Sequence, residues 1–155
     1  MVEILPPIHL SAFKGQTAAL KRLIKAGYDV NRANENGATP AYVAAQEGQT
    51  AALDILVKAG CDVNQAKKDG ATPAYAAAHQ GHTASLDVLV KVGCDVNQAN
   101  EKGVTPALIA AQNGHTAALK HLVKAGCDVN QAANDGSTPA CIAAKNGQTL
   151  SLIHI

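Results

Sequence analysis

Between Thr50 and Gly60 the apolar side chains fall at Leu53, Leu56 and Val57. That i, i+3, i+4 spacing marks a helix with one buried face. The same triplet returns 33 and 66 residues further on. Ahead of it lies a second apolar stretch, Tyr42-Val43-Ala44-Ala45, entered through Thr39-Pro40. Threonine caps helices, and proline suits the first helical position because its missing N–H would have no partner there. Gly48 is a natural end for this helix, Thr50 a start for the next and Gly60 its end. From Asp62 to Gly70 the chain is polar and turn-rich, with a short extended piece expected around Val63 and a turn at Asp69-Gly70. The unit is therefore two short helices and a turn. Helices of roughly 8–10 residues do not persist alone in water, so each needs a neighbour.

Neighbours are supplied by repetition. Pro40, Pro73, Pro106 and Pro139 lie 33 apart, as do Gly37, Gly70, Gly103 and Gly136. The chain parses into a divergent first unit (1–33), three full units (34–66, 67–99, 100–132) and a last unit cut short (133–155). The expected fold is an all-α repeat solenoid, a single domain whose continuous core is built by identical neighbours.

Composition narrows the function. The chain has 155 residues, 47% of them apolar, with a net charge of +1, which excludes a disordered tail. The small charge excess and the scarcity of aromatics (three Tyr, one Phe, no Trp) argue against nucleic-acid binding. Alanine supplies 31 residues, which suits closely packed small helices. No apolar run approaches the roughly 20 residues that span a bilayer, so no membrane insertion is expected. Met1 to Pro7 lacks a basic stretch and an apolar stretch, so no secretory signal is expected. The four cysteines form neither a disulfide framework nor the close pairs of a zinc site. The compartment expected is reducing: cytoplasmic, or nuclear.

These residues resemble the ankyrin-repeat family, whose unit carries a T-P-L-H-x-A signature. Here it stands as Thr39-Pro40-Ala41-Tyr42-Val43-Ala44, Thr72-Pro73-Ala74-Tyr75-Ala76-Ala77 and Thr105-Pro106-Ala107-Leu108-Ile109-Ala110. The Gly-His that opens the second helix appears as Gly81-His82 and Gly114-His115, and the closing motif as Gly60-Cys61-Asp62-Val63-Asn64. The resemblance covers essentially the whole chain and implies β-turn or hairpin loops joining the helix pairs. It departs at the signature Leu-His, which becomes Ala-Tyr, Ala-Tyr, Ala-Leu and, at Ala140-Cys141, Ala-Cys. Only the first unit keeps a histidine there, in Ile8-His9, with Tyr42 and Tyr75 as partial replacements elsewhere.

The resemblance implies a protein-binding scaffold whose concave groove is lined by turn tips and first-helix ends. Comparison of units within the chain finds variation at those two places. At the tips it falls on Asn34-Glu35-Asn36, Lys67-Lys68-Asp69 and Asn100-Glu101-Lys102, with Asn134 and Asp135 in the last unit. At the helix ends it falls on Gln46 and Glu47, His79 and Gln80, Gln112 and Asn113, and Lys145 and Asn146. Phe13 occupies the corresponding place in the first unit, and aromatics are enriched in binding hot spots. The outer helix face varies too, at Asp54, Asp87 and Lys120, so exposed drift competes with this reading.

Other chemistry is thin. Lys25, Lys58, Lys91 and Lys124 should align as an outer ladder, with Asp54–Lys58 and Asp87–Lys91 as favourable i,i+4 pairs. His82 and His115 read as structural. The Asp-Val-Asn triplets begin like calcium loops, but Ala66, Ala99 and Ala132 stand where the next oxygen ligand is needed. No nucleophile, phosphate-loop or paired-carboxylate motif occurs, so neither an enzyme nor a cofactor is expected. Cys61, Cys94 and Cys127 read as free, buried fillers. Leu56 ahead of Asp62-Val63-Asn64 resembles the target of an asparaginyl hydroxylase, making Asn64, Asn97 and Asn130 modification candidates.

Both ends depart from the pattern. Ile4 and Leu5 replace the turn glycine and its neighbour. The chain stops inside a second helix at Leu150-Ser151-Leu152-Ile153-His154-Ile155, apolar where a capping repeat turns polar. That hexapeptide also corresponds to one frame of a common sequencing-library transposon end, so non-native residues after Thr149 are an expectation. The function expected is a non-catalytic binding scaffold, monomeric or part of a longer chain. The alternative is a structural spacer, a fragment of a longer array.

Overall fold

In the computed structural model, which describes residues 5–148, the 33-residue period becomes a series of helix pairs. The elements are α1 (Pro7–Lys14), α2 (Thr17–Lys25), α3 (Pro40–Gln46), α4 (Thr50–Lys58), α5 (Pro73–Gln80), α6 (Thr83–Lys91), α7 (Pro106–Gln112), α8 (Thr116–Lys124) and α9 (Pro139–Lys145). No strand occurs among the described residues. First helices pack in one row, α1 on α3 on α5 on α7 on α9. Second helices form the other row, α2 on α4 on α6 on α8, and each pair also packs internally. This is the all-α solenoid expected. Ile4 and the hexapeptide Leu150–Ile155 lie outside the described residues.

Local chemistry places each helix. Thr39 Oγ1 accepts from Tyr42 N–H at 3.1 Å, and Thr72, Thr105 and Thr138 cap α5, α7 and α9 in the same way. Proline stands at the first position of all five first helices. The first unit differs, because Pro6 holds its cap position and offers no side-chain bond. Second helices start at threonine as expected, but the residue ahead of each (Gln16, Gln49, His82, His115) makes no side-chain cap. Gly81 joins α5 to α6 at φ +75°, and a Cβ there would come 2.7 Å from His115 Nδ1. Both the left-handed backbone and the neighbouring ring require glycine. The extended piece expected around Val63 is instead a turn. Asp62 Oδ1 accepts from Asn64 N–H at 3.0 Å and closes the backbone on itself.

The core has two kinds of residue. Leu20, Leu53, Leu56, Leu86, Leu89, Leu119 and Leu122 on the second helices are fully buried, and Val57 is half-buried. Facing them, Ala41, Ala44, Ala45, Ala74, Ala77, Ala107, Ala110 and Ala111 fill the first-helix row. Each buried leucine contributes about 1.5–3 kcal/mol relative to exposure. Cys94 is buried and Cys61 and Cys127 half-buried; burial pushes all three thiols up to about 11, so they stay protonated.

Polar links between units are regular. At the turn tips Lys68 N–H donates to Asn36 O (3.1 Å), Glu101 N–H to Asp69 O (2.8 Å) and Asn134 N–H to Lys102 O (3.0 Å). On the outer face Asp54–Lys58 (2.7 Å) and Asp87–Lys91 (2.8 Å) pair as expected. Being exposed, such pairs are worth little. His121 Nε2 also reaches Asp87 Oδ1 at 3.2 Å, joining α8 to α6.

His9 sits in α1 where Tyr42, Tyr75, Leu108 and Cys141 sit in the later first helices. It is fully buried, and its Nε2 lies 2.9 Å from Ala38 O. A carbonyl only accepts, so Nε2 carries the proton. Nδ1 has no hydrogen-bond partner among the described residues. Tyr42 does not take over this bond in the next unit; its ring lies under the Lys67 ammonium, 5.0 Å away. Burial, chiefly, and the Arg32 charge hold the His9 pKa below its ordinary 6.5. In the unfolded chain the ring protonates first as pH falls. Its contribution to stability is thus complete above pH 6.5 and is lost as pH drops through the folded value. We expect the urea midpoint to fall between pH 7.5 and pH 5.5. His9→Gln, a non-titrating donor, should show a shallower slope over that window.

Candidate functional site

The turn tips and first-helix ends come together along one face. Two adjoining hollows open there. One, about 280 Å³, is lined by Leu5, Phe13, Asn34, Asn36, Ala38, Tyr42, Val43, Gln46, Glu47 and Lys67. The other, about 190 Å³, is lined by Tyr42, Gln46, Lys67, Asp69, Ala71, Tyr75, Ala76, His79 and Gln80. They share Tyr42, Gln46 and Lys67, so they form one trough across the first three units.

Nine of the sequence-derived positions line this trough: Phe13, Asn34, Asn36, Gln46, Glu47, Lys67, Asp69, His79 and Gln80. Glu35, Lys68, Glu101, Lys102, Gln112, Asp135 and Lys145 are exposed but line neither hollow. Three others hold the scaffold together. Asn113 Nδ2 donates to His79 O (3.0 Å), Asn134 Nδ2 to Glu101 O (3.2 Å) and Asn146 Nδ2 to Ala111 O (3.1 Å). His115 Nε2 also meets His79 O, at 3.0 Å, as befits a structural histidine.

The trough is lined by aromatic rings and carries one ion pair, with the exposed carboxylate of Glu47 along the same wall. Lys67 Nζ lies over the Tyr42 ring and 3.5 Å from Asp69 Oδ2. Tyr75 and His79 rings are 6.0 Å apart and tilted by 31°. Burial raises the pKa of both Tyr42 and Tyr75, keeping each phenol protonated. Tyr42 and Tyr75 were not among the sequence-derived positions. The signal was present, since the signature position reads Tyr, Tyr, Leu, Cys along the chain and so varies as the tips do.

The modification candidates divide into two kinds. Asn64 Oδ1 accepts from Asp95 N–H at 2.8 Å, and Asn97 Oδ1 from Asp128 N–H at 2.7 Å. Asn31 makes the same link to Asp62. Gln98 and Gln131 add bonds to the backbone oxygens of Asn64 and Asn97. Asn64 and Asn97 are therefore clamps between units, whereas no hydrogen bond from the described residues reaches the exposed Asn130 side chain.

Among the described residues no group of three or more His, Cys, Asp or Glu is placed to hold a metal ion, and no helix is long and apolar enough to cross a membrane. A family model described as ankyrin repeats (3 copies) matches residues 8–100 and 86–153. No curated protein matches the chain.

The clamps can be tested against their own unclamped copy. Asn64→Ala and Asn97→Ala should each lower stability by about 1 kcal/mol, the net worth of one such bond. Asn130→Ala should change it by less than half of that. Urea midpoints of the three variants, at constant slope, give the comparison.

Proposed function

Because the chain belongs to the ankyrin-repeat family, whose members are generally protein–protein interaction modules and typically non-catalytic, we propose that it is a scaffold holding a protein partner in the face formed by its turn tips and first-helix ends. Phe13, Gln46, Glu47, Asp69, His79 and Gln80 supply the contacts within the trough. The exposed tips Glu35, Lys68, Glu101, Lys102 and Asp135 and the helix ends Gln112 and Lys145 extend them. It works as a monomer or as part of a longer chain, in the cytoplasm or nucleus, without a cofactor.

The observation that carries this reading is the rigidity of the tips. Each successive tip is bonded through its backbone to the one before it. The side chains that vary between units therefore project from a surface that is already ordered. Binding then loses little conformational entropy, which favours affinity. A partner exploiting several units at once gains from each without any unit moving.

Gln46→Ala/His79→Ala/Gln112→Ala is a suitable variant because all three side chains are exposed, so the fold should survive. Binders selected from a displayed peptide library against the full chain should bind it at least tenfold more weakly than the parent. An outer-face control, Asp54→Ala/Lys58→Ala/Lys124→Ala, should bind as the parent does. Binders indifferent to the triple change, or a chain that selects none, would point instead to a spacer whose face engages nothing.

A further inference from the structure

Charge is distributed unevenly along the stack. Between Leu5 and Ala33 the chain carries five cations, Lys14, Lys21, Arg22, Lys25 and Arg32, against one acid, Asp29. The second unit reverses the balance, with four acids and one cation. We infer that the basic outer face of α2 is an interaction surface separate from the trough, and that it receives a short acidic segment of a partner protein.

All five cations are exposed, and among the described residues none of them meets a carboxylate within ion-pair distance. Asp29 is occupied locally, where its Oδ1 accepts from Asn31 N–H at 2.9 Å. On α2, Lys21 and Arg22 stand four and three residues ahead of Lys25, so the three share one helix face. Lys14 and Arg32 add to the positive field of the same unit. The later units show that this is a departure. At the place of Lys21 they hold Asp54 and Asp87, which pair with Lys58 (2.7 Å) and Lys91 (2.8 Å). At the place of Lys14 stands Glu47, and at that of Arg32 stand Gln65, Gln98 and Gln131. A lysine ending the second helix is common to all four pairs and suits the negative end of the helix dipole. Lys21 has no such account, because like charges at i, i+4 oppose one another. An anion laid over this face relieves that repulsion and displaces no existing counter-charge.

The extent of the face decides its occupant. α2 has nine residues and is about 13 Å long, enough for about four residues of an extended chain. Beyond it the second unit is net negative, so the positive field stops at the boundary. A nucleic-acid strand or a lipid surface extends past that boundary and would set its phosphates against the acids. A short run of Asp and Glu ends where the cations end. Exposed ion pairs are individually weak and are screened by salt, so this face steers and tethers a partner rather than clamping it.

A labelled peptide of six glutamates, with six glutamines as control, tests this on the full chain. At about 20 mM salt the glutamate peptide should bind at least tenfold more tightly than the control, and about 200 mM salt should remove most of that difference. Lys21→Asp/Lys25→Gln should weaken its binding at least fivefold. The same two changes at the equivalent places in α8, Lys120→Asp/Lys124→Gln, alter net charge equally and should cost less than twofold. Lys21→Asp installs the residue that α4 and α6 already carry there, so α2 should fold. Should that variant unfold, Arg22→Gln alone, expected to weaken binding at least twofold, decides the matter. A glutamate peptide that binds no better than the control, ignores salt, or responds equally to the α8 variant would overturn the inference. So would tighter binding of a single-stranded oligothymidylate with six phosphates, or of phosphatidylcholine vesicles containing about 30% phosphatidylserine. Gln46→Ala/His79→Ala/Gln112→Ala should leave the affinity within twofold. A larger loss would put the peptide in the trough, overturning this inference while leaving the scaffold reading standing.

Discussion

The structure depends on the close approach of first helices through alanine. Along α3, α5 and α7, which pack on one another, Ala41, Ala44, Ala45, Ala74, Ala77, Ala107, Ala110 and Ala111 are essentially without solvent contact. Interaxial distance is set by the side chains at the contact, and methyl groups permit the shortest. Longer side chains here would push the units apart and carry the turn tips beyond the reach of one backbone hydrogen bond. The tips join only because the helices beneath them touch.

Each helix pair buries its leucines partly against its own partner helix and partly against the next unit, so no unit is complete without a neighbour. Polar groups obey the same rule. The Asn64 and Asn97 side chains satisfy backbone N–H groups of the unit that follows, and the Asn113 and Asn146 amides reach back to the unit before. Bonds of this kind add modest stability individually. Their larger effect is on register, because each has a partner only when adjacent units sit one period apart.

The same repetition makes departures from it informative. Where the signature position holds His9, the ring is buried and bonded to Ala38 O. Where it holds Tyr42 or Tyr75 the residue lines the trough, Tyr42 largely buried and Tyr75 half-buried; where it holds Leu108, the side chain is fully buried. One site in the unit thus serves as latch, trough lining or core filler according to size and polarity. The backbone around it barely changes, since threonine caps and proline starts are shared by α3, α5 and α7.

The amino-acid sequence alone determined the period, the helix starts and the buried leucine faces, because those follow from local rules: a cap, a proline, a glycine and an i, i+3, i+4 stripe. It also located the tips and helix ends as one variable set. What it left undecided were the jobs of individual polar residues. Asn113 and Asn134 look as variable as Gln80, yet their amides are held by neighbouring backbone, while Gln80 lines the trough. Tyr42 looked like a replacement for histidine and is instead the ring beneath Lys67. Val63 looked extended and is held in a turn by Asp62. The two asparagine outcomes are settled by atoms 34 and 33 residues away, brought into contact only by stacking. A pattern read along the chain carries the period of that stacking, but not which donor will find which acceptor across it.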